Sequence, residues 1–299
     1  MHEDLWSAWL NRGRHAGDAA AMARVAAETA RYAGKILDAV SLRPGMAMLD
    51  LGSGAGLMGW AALERCPNLT VTLSDISAPL LDEAERTAHT LGFAASCRFI
   101  VADAANLGCM ADASQDLVTA RSCLAYVADK PAAFAEIFRV LRPGGWLSVA
   151  EPLFRDEALG AMAMRTALAR APDAHLAVLH KWKAAQFPDD ETAIAASPIT
   201  NYTERELLGF AQRAGFTRAR LELEIIAAPS PPTPWAVFRA TAPHPWAPCL
   251  DEIMATSFTP DERARLEEML RPAVEAGTLN TARRMIYLVA QKPDEPETG

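Results

Sequence analysis

The stretch Met48-Leu49-Asp50-Leu51-Gly52-Ser53-Gly54-Ala55-Gly56 constrains the fold more than any other in the chain. An apolar run of strand length ends at a carboxylate and enters a turn of alternating glycines, from which a helical pattern opens over Gly56–Arg65. Glycine is needed in such a turn when a ligand must approach the backbone more closely than a Cβ permits. A buried strand feeding straight into a helix also commits this part of the chain to a sheet with helices on its faces.

The rest of the first half repeats that alternation. Strand patterns fall at Met46–Leu51, Thr70–Ser74, Cys97–Val101, Leu117–Ala120 and Trp146–Ala150, with helical patterns at Pro79–Leu91 and Ala132–Leu141, the latter closed by Pro143-Gly144-Gly145. Strands separated by helices in this way predict a parallel sheet. The alternation stops at residues 152–202, which are Ala- and Met-rich and mostly helical. It resumes with a helix at Thr203–Ala214, where Thr203 and Glu206 have capping-box spacing, and a strand at Arg218–Ala227. A proline cluster (Pro229, Pro231, Pro232, Pro234, Pro243, Pro245, Pro248) opens residues 229–283, a helix follows at Pro260–Ala276, and Met285–Ala290 is a last strand before a polar tail from Lys292. Residues 1–40 read as helix, Ala-rich and without proline. The expected organisation is an N-terminal helical cap (1–44), a core (45–151, 203–228, 284–299) and two insertions (152–202 and 229–283).

Composition excludes several function classes. The 299 residues are about two domains' worth at roughly 150 residues each. A net charge of −8 leaves no basic footprint for nucleic acid. No apolar run approaches the ~18 residues of a membrane helix, and the acidic start Met1-His2-Glu3-Asp4 is unlike a signal peptide. The cysteines (Cys66, Cys97, Cys109, Cys123, Cys249) are odd in number and lack a CxxC pair. That pattern argues against a disulfide framework or a thiolate metal site, and for a cytoplasmic protein with no metal.

Taken alone, the glycine turn allows two readings, because Gly54-Ala55-Gly56-Leu57-Met58-Gly59 also satisfies the GxGxxG dinucleotide pattern. Asp50 weighs against it: a carboxylate beside the turn repels a pyrophosphate and attracts a cationic or amine-bearing ligand. Asp75, with Ile76 beside it, ends the second strand and is placed to accept from ribose hydroxyls; Asp103 ends the third, where it can accept from an exocyclic amine. Three acidic residues on three successive strand ends describe a nucleoside with an amino-acid tail.

Leu49–Gly56 resembles the first motif of the class I S-adenosylmethionine-dependent methyltransferases, and Phe138-Arg139-Val140-Leu141-Arg142-Pro143-Gly144-Gly145 resembles the helix and turn before their fifth strand, as in the quinone-type and other small-molecule branches. The resemblance covers residues 45–151 well, and 203–228 and 284–293 more weakly. It implies an α/β fold: a Rossmann-like, seven-stranded, mostly parallel sheet with helices on both faces and an antiparallel last strand. The implied cofactor is S-adenosylmethionine. Asp50, Gly52, Ser53, Gly54 and Gly56 would hold its methionine portion, Asp75 its ribose hydroxyls, and Asp103 with the Ala104 backbone its adenine; Ile76, beside Asp75, is a further cofactor-binding candidate.

Methyl transfer is an in-line displacement in which the protein mainly positions two reactants. The acceptor is expected to be a small molecule, methylated on O or N first and on C next. Rival readings are a catalytically silent donor-binding subunit and a thiol- or arsenite-type enzyme, which would need converging cysteines. Candidate catalytic residues are Arg121 and Tyr126 after the fourth strand and Glu151 at the end of the fifth, Glu151 as a base or amine anchor and Arg121 as a partner for a carboxylate or phosphate. Arg121 is also a candidate for the donor site. His175 and His180 are expected to face solvent. Trp6, Trp9, Trp182, Trp235 and Trp246 fall in the segments outside the sheet, where they would line an acceptor pocket or pack; a homodimer contact through the N-terminal helix is the other use for that segment.

Overall fold

A computed structural model describes residues 3–294. The expected helix over 1–40 is broken. Helix α1 (Leu5–Ala8) and one π-helical turn (Trp9–Gly13) precede the long α2 (Ala19–Asp38). Between them Ala16 and Gly17 take left-handed φ values of 52° and 73°. Asp18 then restarts the helix by accepting the Ala21 N–H. Gly17-Asp18 was the readable stop-and-start signal, masked by the surrounding alanines. Met1 and His2, and the polar tail from Glu295, lie outside the described residues.

The core follows as β1 (Ala47–Leu51), α3 (Leu57–Arg65), β2 (Thr70–Asp75), α4 (Ala78–Leu91), β3 (Cys97–Val101), β4 (Gln115–Arg121), α5 (Lys130–Val140) and β5 (Leu141–Pro152). The first insertion carries α6 (Arg155–Arg170), α7 (Ala174–Gln186) and α8 (Glu191–Ala196). Helix α9 (Glu204–Ala214) and β6 (Arg218–Pro229) return to the sheet, α10 (Trp235–Ala240), α11 (Leu250–Ser257) and α12 (Pro260–Ala276) form the second insertion, and β7 (Asn280–Gln291) ends the fold. The sheet has seven strands in the order β3-β2-β1-β4-β5-β7-β6. β1 to β5 run parallel, and β7 is antiparallel to both of its neighbours.

Because side chains alternate along a strand, the apolar runs feed two cores at once. Leu49, Val118 and Leu147 pack on one face with Phe134 and Ile137 of α5. Met48, Val71 and Leu117 pack on the other with Ile36 of α2 and Leu63 of α3. A third core joins the insertions: Val178 of α7 packs with Trp235, Leu250, Ile253, Leu266 and Val274. The two insertions, far apart in sequence, therefore form one cap over the C-terminal edge of the sheet.

Candidate active site

The glycine turn is pinned to the end of β2. Gly54 N–H donates to Asp75 Oδ2 at 2.8 Å, Ser53 N–H donates to the Ser74 carbonyl at 3.1 Å, and Asp75 Oδ1 accepts from Ser77 N–H at 2.9 Å. Gly52 sits at φ +61°, and a Cβ there would lie 2.6 Å from both Cβ and Sγ of Cys123. The turn is thus a shallow cradle whose shape requires glycine. Asp75 is almost buried, and burial pushes its carboxyl up while the backbone N–H groups hold it down. Each of its oxygens keeps a second lone pair, and the side chain lines the cavity above the strand ends. Asp103, exposed, accepts from Ala105 N–H through Oδ1 at 2.8 Å. Ile76, half-exposed, and Ala104 line the same wall.

The cavity has a volume of about 1570 Å³ and runs from this cradle to the cap. That exceeds the ~300–1,000 Å³ of ordinary ligand pockets, enough for two reactants. Its floor is the cradle and the β4 loop. Its roof is made from the N-terminal segment, α2 and the insertions, with Met22 and Val25 on one side and Leu179, Trp182 and Phe238 on the other. On its wall Trp6 packs edge-on against Tyr126 and Trp246, with ring centroids 5.3 and 5.8 Å away. Trp9 donates its indole N–H to the Ala242 carbonyl at 3.1 Å, and Ala242 N–H donates to the Gly13 carbonyl at 2.9 Å. Trp6, Trp9, Trp182 and Trp246 line the cavity, whereas Trp235 is buried in the cap core, stacked on Phe238. Trp6 and Trp9 thus both line the cavity and pack against their own chain.

The charged candidates separate into two groups. Arg121 and Tyr126 line the cavity. Burial lowers the affinity of Arg121 for its proton and raises the Tyr126 phenol above its ordinary range. Asp50 and Glu151 do not line the cavity; they sit behind it, at 1% and 0% exposure. Asp50 accepts from Thr119 Oγ1 at 3.0 Å and its Oδ2 lacks a hydrogen-bond partner. Glu151, expected near the transferring methyl group, instead accepts from Cys123 N–H at 3.2 Å and Ala125 N–H at 2.9 Å. The cause is Ser122, whose φ of +51° folds the chain back over the end of β5. Burial pushes each of these two carboxyls up to about 7. His175 and His180 are absent from the cavity wall, and His180 pairs with Asp189 at 2.8 Å. Among the described residues Cys123 is the only cysteine on the wall, and no cluster of metal-ligating side chains occurs.

The family described as "Methyltransferase domain" matches residues 42–215. The chain belongs to the S-adenosylmethionine-dependent methyltransferases. Among curated proteins, this methyltransferase is 36% identical over 111 residues to malonyl-[acyl-carrier protein] O-methyltransferase of Xylella fastidiosa, a match covering 37% of this chain and 36% of that one. It is 38% identical over 104 residues to demethylmenaquinone methyltransferase of Thermus thermophilus, covering 35% of this chain and 46% of the relative. The matched stretch thus spans less than half the length of these relatives. Among solved structures, the YcgJ protein of Bacillus subtilis is similar over 89% of this chain and 99% of its own, with a TM-score of 0.55 at 14% identity. Phosphoethanolamine N-methyltransferase 2 of Haemonchus contortus has a TM-score of 0.50 at 17% identity, over 88% of this chain and 53% of its own. These two likenesses speak for the fold alone.

The residues of the methyltransferase cradle fit the family's cofactor. Ser53 and Ser74 line the cavity, and their buried hydroxyls have no hydrogen-bond partner. Buried polar atoms without partners are costly, and a ligand rich in hydroxyl and amine groups satisfies them. Arg14 is the residue that sequence reading missed. It lines the cavity and lies over the Trp9 ring at 5.1 Å, but no motif marks it.

Proposed function

We propose that this methyltransferase moves a methyl group from S-adenosylmethionine to a small-molecule acceptor held under the helical cap. The observation that carries the reading is the continuity of one cavity from the glycine cradle to an apolar chamber walled by both insertions. In-line displacement needs the two reactants end to end in a site shielded from water, and the Trp6–Tyr126–Trp246 cluster provides the shield. Asp75 accepts from the donor's ribose hydroxyls, Ile76 packs against its base, Asp103 and the Ala104 backbone hold the adenine, and Gly52 to Gly54 give its methionine portion room.

No covalent protein intermediate is needed: S-adenosylmethionine, when bound, would supply an electrophilic methyl group to an acceptor lone pair, and a proton carried by that acceptor atom would leave to water. Glu151 is a positioning residue in this reading, fixing the loop that carries Cys123 and Tyr126, because both of its oxygens are engaged by backbone N–H groups. An acceptor oxygen or nitrogen is proposed first, and carbon next. Incubation with methyl-labelled S-adenosylmethionine and a metabolite extract tests the reading. Transfer of label to a compound below protein size is expected, and label found only on protein or nucleic acid would refute it.

A further inference from the structure

The cavity wall carries more positive charge than its protein partners use. Glu28 accepts from the Tyr32 hydroxyl and pairs with Arg283; Arg284 pairs with Asp156 and Glu157, and Lys183 with Glu157. Asp75, Asp103 and Asp129 are each engaged by backbone N–H groups. That leaves Arg14 and Arg121, which among the described residues form no ion pair and no side-chain hydrogen bond although both line the cavity. Arg121 is close enough to weaken the hold of Arg14 on its proton, and burial and Arg121 together pull Arg14 down to about 10. Two neighbouring guanidiniums, each with five donors in a planar fork, are left without acceptors.

Their surroundings differ. Arg121 ends β4 directly after Ala120, which is in register with the Leu51 that leads into the glycine turn, and Asp50 and Glu151 are the opposite charges acting on it; it therefore sits at the cradle. Arg14 is influenced instead by Tyr126, Glu28 and Tyr32, and lies over Trp9 on the roof segment, facing the chamber. S-adenosylmethionine brings one carboxylate, and one carboxylate fills one bidentate fork. Resting on the methyltransferase reading above, we infer that Arg121 receives the donor's carboxylate and that Arg14 receives an anionic group, carboxylate or phosphate, on a largely apolar acceptor. The apolar part lies along Met22, Val25, Leu179, Trp182 and Phe238. An anion there also complements the positive sulfonium of the donor.

The test uses the full chain saturated with S-adenosylhomocysteine and titrated with four eight-carbon probes: octanoate, octyl phosphate, octanol and octylammonium. Octanoate or octyl phosphate should bind at least roughly tenfold more tightly than octanol, the increment of one charge-assisted hydrogen bond, and the better of the two identifies the head group. Arg14→Ala should erase that preference while leaving the S-adenosylhomocysteine Kd unchanged, which also shows that the variant is folded. Arg14→Lys should retain part of it, and Arg121→Ala should weaken S-adenosylhomocysteine binding. Equal binding of octanol, tighter binding of octylammonium, binding of no probe, or exchanged roles for the two arginines would overturn the inference. Failure of the wild type to bind S-adenosylhomocysteine would instead overturn the methyltransferase reading itself.

Discussion

Replacing Gly52 by alanine probes the cradle at the point where its geometry is least forgiving. The new Cβ would sit 2.6 Å from Cys123 Cβ and Sγ, well inside contact distance, and the residue would have to hold φ at +61°. The backbone contribution is about 1–2 kcal/mol for a non-glycine residue in the left-handed region. The steric contribution is that of an overpacked site, about 1–3 kcal/mol, because Cys123 is held by the Glu151 carboxylate and cannot swing aside freely. Gly52→Ala should therefore lose about 2–5 kcal/mol in urea unfolding, and should bind S-adenosylhomocysteine at least roughly tenfold more weakly by calorimetry. Cys123→Gly removes both colliding atoms, leaving Cα at an ordinary 3.6 Å. In the double variant the steric part should return and the backbone part should not, so the coupling energy reads the clash alone. A single variant within about 0.5 kcal/mol of wild type, or a double variant with no recovery, would show that this turn is not the tight cradle described.

Asp75→Ala should leave Gly54 and Ser77 N–H without their acceptors, costing about 1–3 kcal/mol each where water cannot replace the bond, and should weaken donor binding by about tenfold or more; unchanged affinity would remove Asp75 from the ribose site. Burial holds the Asp50 and Glu151 carboxyls near 7 against ordinary values of 3.8 and 4.5. The folded chain therefore keeps protons that the unfolded chain has lost, and these two groups make stability fall as pH rises from about 4 to 7. Asp50→Asn should make the decline of the urea midpoint between pH 5 and 8 shallower, and an unaltered slope would refute the assignment. Trp6→Ala removes two edge-on aromatic contacts worth about 0.5–1.5 kcal/mol each. It should speed S-adenosylhomocysteine release several-fold in stopped-flow fluorescence, and an unchanged release rate would mean that Trp6 does not close the cavity.

Much of the donor half was legible because its signals are local. A strand, a carboxylate and alternating glycines specify backbone geometry within a few residues, and Asp75 and Asp103 fall where strand ends must fall. Direction was harder to read. Glu151 was visible as a strand-end carboxylate, but the left-handed Ser122 that lays the β4 loop over it has no signature, so its side chain was expected in the cavity and is found beneath a loop. The tryptophans show the same limit. Trp235 and Trp246 come from one proline-rich segment, yet one fills the cap core and the other faces the cavity, because tertiary packing of α7 against α11 and α12 decides it. Arg14 was invisible for a related reason: its role depends on the break at Ala16 and Gly17, which turns the N-terminal segment back over the sheet.

The most direct test of the account is calorimetric titration of the wild-type chain with S-adenosylmethionine and, separately, with NADH, since the glycine turn alone is compatible with both ligands. Saturable one-to-one binding of S-adenosylmethionine and none of NADH is expected. Binding of NADH without S-adenosylmethionine would contradict it.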